Sequence, residues 1–198
     1  MKTFIFTLIY ALCFIAAGNI HAAAPHKLQS DYVGQEKRQI KTLSKNDIHD
    51  LLNGKGWGLA KAAELNGVPG PKHLLEMQGE IRLTAEQTSR IEDIYSEMKA
   101  QAIPLGNKLI EAERALNLAF ANRQIDDAGL LKLLENIASV RKQLRYVHLA
   151  AHLQTLPVLK EEQIKLYNEL RGYGKDDPCE NIPPGHDPIM WRRHNNCE

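Results

Sequence analysis

The chain has 198 residues, with 25 Lys and Arg against 24 Asp and Glu and a formal net charge of +1. Lys2 belongs to a leader, so the remainder balances its charges. No segment holds the basic excess that drives nucleic-acid binding, nor a polybasic run for anionic membranes.

Met1 to Ala22 reads as a secretory signal. Lys2 supplies the charged start, and Phe4 to Ala17 is an apolar run too short and too early for a spanning helix. Ile20-His21-Ala22 presents aliphatic and small residues for cleavage after Ala22. The exported chain therefore has no stable membrane insertion. Residues 23–82 form an N-terminal extension. Residues 23–43 are of mixed composition, and short helices follow. Ser44 with Asp47 caps a helix to about Asn53, which Gly54 ends. Leu59 to Leu65 makes a second helix, stopped by Asn66-Gly67. Pro71, after the Pro69-Gly70 turn, opens a third through Met77.

The segment 83–172 holds most of the apolar periodicity. Thr84 and Gln87 form a capping box behind Leu83. From Ile91 through Tyr95, Met98, Ala102, Leu105, Leu109, Ala112, Leu116 and Ala119 the steps alternate four and three. After the N-cap Asp126, Leu130, Leu133, Ile137, Val140, Leu144, Val147 and Ala151 step the same way. Both are heptad seams. The short loop 122–126 makes the two helices antiparallel. A helix over 85–121 spans about 55 Å, with a kink expected at Pro104. Leu156-Pro157 ends the second helix. A short closing helix runs from Lys160 to Arg171. The expected fold is all-α: a long kinked antiparallel hairpin with a closing helix, short N-terminal helices, and an irregular tail over 173–198.

Cys179 and Cys197 lie near the ends of that tail. In an oxidising compartment an even pair forms a disulfide. With His186 and His194 they also make a four-ligand zinc set on paper. His148 and His152, four apart on one helix, can face a single ion such as zinc, nickel, cobalt or copper. The plainer reading is two ordinary histidines at the seam edge. No nucleophile elbow, phosphate-binding glycine loop or paired-histidine zinc-protease motif occurs. Gly54-Lys55-Gly56-Trp57-Gly58 follows no strand and reads as an inter-helix turn. An enzyme is not expected, and no cofactor is required.

Leu83-Thr84-Ala85-Glu86-Gln87 and Leu159-Lys160-Glu161-Glu162-Gln163 resemble the paired LTxxQ motifs of the Spy/CpxP superfamily. The first is a full match. In the second, Lys160 replaces the threonine, which removes the side-chain cap. The resemblance covers residues 80–172. It implies a periplasmic homodimer whose curved helices hold unfolded or envelope protein clients without ATP, as a chaperone or stress-response accessory. The superfamily also includes heavy-metal sensor and resistance proteins of the CnrX and ZraP kind, and His148 with His152 resembles a metal-binding pair in spacing. A purely structural dimerisation module is the remaining alternative.

Overall fold

The computed structural model describes residues 30–173, 178–180 and 182–197. Residues 1–22, the expected signal segment, lie outside the described residues. The chain divides into two compact units, Met1–Glu36 and Lys37–Glu198. Of the first, residues 30–36 are described; the Val33 N–H closes a turn on the Ser30 carbonyl at 3.3 Å.

The second unit is helical throughout, and no strand occurs among the described residues. Three short helices, α1 (Lys45–Leu52), α2 (Lys61–Glu64) and α3 (Pro71–Glu76), precede a single turn, α4 (Gln78–Ile81). The long helices α5 (Ala85–Ala121) and α6 (Asp127–Thr155) follow. A 3₁₀ turn at Leu156–Val158 leads to α7 (Glu161–Leu170), and α8 (Pro188–His194) lies in the tail.

The starts of these helices follow from local chemistry. Ser44 Oγ accepts from the Asp47 N–H at 3.1 Å, and the Asp47 carboxylate accepts from the Ser44 N–H at 2.8 Å. Thr84 and Gln87 form the same box at 3.2 and 3.0 Å. Asp126 caps α6 through the Gly129 N–H. Pro104 sits inside α5 on an exposed position, and the helix continues through it.

The packing corrects the picture of a narrow two-helix seam. Met98, Ala102, Leu109 and Ala112 of α5 bury against Ile137, Val140, Leu144, Val147 and Ala151 of α6, as the heptad steps require. Ile94 and Ile110 are off that seam, yet they are buried too. The reason is a cover. Ile40, Leu43, Leu51 and Leu59 join the same core, and α1 and α3 pack on α5 while α2 packs on α6. The two seams alone leave one flank of each helix open; the cover closes it.

The approach of α1 to α5 depends on one residue. An added Cβ at Gly106 would meet the Leu51 carbonyl oxygen at 2.3 Å. Any side chain there would push the end of α1 off the hairpin.

A second, smaller core closes the other end. Tyr167 of α7, Ile91 of α5, Ile81 of α4 and Leu74 of α3 are buried together. The sequence pattern ended the third helix at Met77 and did not resolve α4. Met77 has a non-helical φ of −112° and separates the two pieces. Arg82 then takes a left-handed φ of 55°, which turns the chain into α5.

The tail departs from the irregular segment expected. The Cys179–Cys197 disulfide is formed. Between its cysteines, Asp187 caps α8 through the Ile189 and Met190 N–H groups, and Pro188 fills the first helical position. The Trp191 Nε1–H donates to the Pro178 carbonyl at 2.6 Å.

Candidate functional site

The five residues 148–152 and their surroundings form the most developed site. His148 and His152 were expected at the edge of an open seam. The structure buries both, at 3% and 8% exposure, beneath the segment that connects α2 to α3. The His152 Nδ1 lies 2.8 Å from the Val68 carbonyl. A carbonyl only accepts, so Nδ1 carries a proton and donates. Thr155 Oγ1, one turn on, lies 2.7 Å from the Pro69 carbonyl and 2.7 Å from the His152 carbonyl. Its single hydrogen serves both. Gly70 packs directly on the imidazole; an added Cβ would stand 2.7 Å from His152 Nε2. Residues 68–70 are thus clipped to α6 by two side chains and allowed close by a glycine.

His148 has no such partner. Its Nε2 is sealed from solvent and makes no hydrogen bond. Burial, reinforced by the neighbouring His152, lowers its pKa to about 4. The ring is neutral at any ordinary pH.

Both histidines line a cavity of about 230 Å³ between the cover and the hairpin. Trp57, Tyr95 and Met98 supply its apolar wall, and Glu64 and His73 stand on the cover side. Trp57 has a left-handed φ of 43°. Its Nε1–H donates to Asp47 Oδ1 at 2.8 Å, and the Arg141 guanidinium lies 5.1 Å over its ring. Gly54-Lys55-Gly56-Trp57-Gly58 is therefore the turn it resembled, and it also places one wall of the cavity.

Glu64 fastens α2 to α7. Its Oε1 accepts from the Tyr167 hydroxyl at 2.7 Å, the Arg171 Nε at 3.0 Å and the Tyr173 hydroxyl at 3.0 Å. Burial pushes the Glu64 carboxyl up, but these three donors hold it below the usual range. Burial and the Glu64 bond together raise the Tyr167 pKa.

The two motif copies meet each other. Gln87 Nε2 donates to Gln163 Oε1 at 2.8 Å, and Gln163 Nε2 returns a bond to Gln87 Oε1 at 3.0 Å. Each oxygen also accepts its own N-cap N–H, from Thr84 and Lys160, at 3.0 Å. Each amide nitrogen reaches the carbonyl two residues before the opposite N-cap, Val158 for Gln87 and Arg82 for Gln163. The arrangement is a local two-fold clasp. Lys160 has no acceptor, so α7 receives only the Gln163 half of a box. Leu83 and Leu159 pack half-buried beside the second core. The motif residues are structural in what they touch.

The turn end of the hairpin lies past the cover, which reaches Asn117 through the Lys41 N–H at 3.1 Å. There Leu118, Phe120, Leu131 and Leu134 are 50%, 56%, 60% and 45% exposed. Sequence periodicity did not single them out, because they flank the seam positions.

In the tail, the His186 ring meets Trp191 at a tilt of 60° with centroids 4.7 Å apart, and both His186 and His194 are exposed. The disulfide consumes the thiolates of the zinc set. Among the described residues no three His, Cys, Asp or Glu side chains converge to hold a metal ion. No helix among them is long and apolar enough to cross a membrane. No family model, curated protein or solved structure matches the chain.

Proposed function

We propose that the chain is an exported, periplasmic helical binding protein that holds apolar segments of other proteins without ATP, as a chaperone or envelope-stress accessory of the Spy/CpxP kind. The observation that carries this reading is the exposed apolar group at the hairpin turn, Leu118, Phe120, Leu131 and Leu134. Four large exposed apolar side chains near one end of a helix pair support an interaction surface there. The Leu83-to-Gln87 and Leu159-to-Gln163 resemblance supports the same reading. The cover refines it: residues 37–82 occupy one flank of the hairpin, so a client meets the turn end rather than the seam under α1–α3.

The test is aggregation of a chemically denatured client, followed by light scattering. The wild-type chain at equimolar ratio should suppress scattering. The double variant Phe120→Ser and Leu131→Ser should lose most of that effect with an unchanged helical circular dichroism spectrum. Suppression by both to the same extent, or by neither, contradicts the reading. A homodimer that buries these four residues would appear as a concentration-dependent mass, and the same variant would dissociate it.

A second reading, binding of a divalent transition metal, is favoured by one observation. His152 donates its Nδ1–H to a carbonyl, the arrangement that orients a ligating imidazole, and His148 one turn away has an unpartnered ring nitrogen. Two imidazoles need further ligands from water or from Met98. Calorimetric titration with zinc, nickel, cobalt and copper ions, against the His148→Ala and His152→Ala double variant, tests it. Unchanged binding by that variant assigns any metal elsewhere.

A further inference from the structure

The cavity between cover and hairpin has a surplus of donors over acceptors. Lys55, Lys61 and Lys72 line it, as does Tyr95, whose hydroxyl bonds to no group among the described residues. Among those residues the only carboxylate in the lining is Glu64, and its Oε1 already takes three donors, Arg171 among them. Acids outside the lining offset two of the lysines: Asp50 pairs with Lys55 at 2.9 Å, and Glu76 pairs with Lys72 at 3.4 Å. Lys61 has no such partner among the described residues.

The Gly54-to-Gly58 turn adds to this surplus. Trp57 and Gly58 take left-handed φ values of 43° and 70°, and the turn closes through the Leu59 N–H on the Gly56 carbonyl at 2.8 Å. The backbone N–H groups of Gly56, Trp57 and Gly58 find no acceptor among the described residues, and all three residues line the cavity. Successive unpaired N–H groups in a turn are a setting that takes anions. An unmatched ammonium in the same lining strengthens that preference, because bonds to an ionised acceptor are the strong ones.

The rest of the lining is largely carbon. The Trp57 indole spends its N–H on Asp47, so it adds apolar surface, and Met98, Pro71 and Ala60 add more. Lys55, Gly56, Gly58, Lys61 and Lys72 are exposed, whereas Met98 and Pro71 are buried. That difference puts the donors at the mouth and the apolar surface inside. A void of roughly 150 Å³ with apolar walls holds one benzene ring. At about 230 Å³ this cavity has room for one ring and a small charged group.

We infer that this cavity binds a small organic acid, with its carboxylate at Lys61 and the Gly56-to-Gly58 turn and an apolar body the size of a single ring against Trp57, Met98 and Pro71. The same chemistry comes from two sources: a free acid, or the C-terminal carboxylate of a polypeptide that ends in an apolar residue. None of Leu118, Phe120, Leu131 and Leu134 lines the cavity, so this inference stands whether or not the turn end holds clients.

The experiment is calorimetric titration of the chain from residue 23 on, with a chelator present, using three probes. Phenylacetate is the free acid. Phenylacetamide keeps its shape and removes the charge. N-acetyl-phenylalanine carries the same ring and a carboxylate on a backbone. Phenylacetate should bind, and phenylacetamide should bind more weakly by about ten-fold or more. N-acetyl-phenylalanine binding as tightly as phenylacetate assigns a chain end; its weaker binding or exclusion assigns the free acid. Lys61→Gln removes an exposed charge, should leave the circular dichroism spectrum unchanged, and should weaken phenylacetate about five-fold. Lys108→Gln removes an exposed charge of α5 that lies outside the cavity lining, and should leave the affinity unchanged. Absence of phenylacetate binding at millimolar concentration overturns the inference. So does phenylacetamide binding as well as phenylacetate, phenylacetate binding that Lys61→Gln does not weaken, or an equal loss from Lys108→Gln.

Discussion

Burial of His148 makes the fold acid-sensitive in a defined window. The folded-state pKa is about 4, against 6.5 for an unperturbed imidazole, because burial and then His152 disfavour the charged ring. The unfolded chain therefore binds a proton first as pH falls. The stabilising contribution is complete above pH 6.5 and is lost as pH drops toward 4. Between pH 7 and pH 5 the linkage relation with these two values removes about 2 kcal/mol from this residue alone. Carboxylates held low in the fold, such as Glu64 and Asp47, also lose stability in acid. Their unfolded values of 4.5 and 3.8 place that loss mostly below pH 5, outside the window. His148→Phe removes the titrating group and keeps a ring in the space. Urea unfolding of both proteins at pH 7 and pH 5 is the assay. The wild type should lose about 2 kcal/mol more than the variant over that step. Equal losses would refute the buried, neutral His148.

Three further outcomes follow from the packing. Gly106→Ala should destabilise the fold by about 1–3 kcal/mol in chemical unfolding, because the new Cβ meets the Leu51 carbonyl; a gain of about 1 kcal/mol, as on an exposed helix face, would show that α1 does not sit there. Gln87→Ala and Gln163→Ala should each destabilise, and a double-mutant cycle should return a coupling of about 1–2 kcal/mol; additive losses would dissolve the clasp. Tyr167→Phe removes one of three donors to Glu64 Oε1 and should cost about 1.5–3 kcal/mol at pH 7, with a smaller cost in acid once Glu64, whose carboxyl is held below its usual range, is protonated.

Much of the layout was legible in residue order, and the failures have physical reasons. Capping boxes are local: Ser44 with Asp47 and Thr84 with Gln87 place α1 and α5 directly. The heptad steps place the α5–α6 contact because seam positions are buried whatever else packs around them. Periodicity along one helix cannot report a partner that arrives from 50 residues away in other elements. Hence the heptad steps pass over Ile94 and Ile110, and they place His148 and His152 only at the seam edge. The signal for the cover was present but indirect. Gly70 and Gly106 are glycines whose missing side chains let backbone approach an imidazole and a carbonyl, and a glycine in isolation does not say which. By spacing alone the two motif copies are separate helix starts, yet each amide has four bonding sites and a capping box uses only one. The unspent capacity of Gln87 and Gln163 was the clue to their meeting. In the tail, Asp187-Pro188 is an N-cap followed by a first-turn proline, a signal outweighed by the surrounding proline and asparagine content.

The proposed function places contact with other proteins at the hairpin turn. Hydrogen–deuterium exchange of the chain from residue 23 on, with and without a permanently unfolded client, measures this most directly. Exchange should slow chiefly in the last turns of α5 and the first turns of α6, around Leu118 to Leu134, with little change beneath the cover at residues 66–73. Protection confined to α1–α3, or no protection anywhere at saturating client, would contradict it.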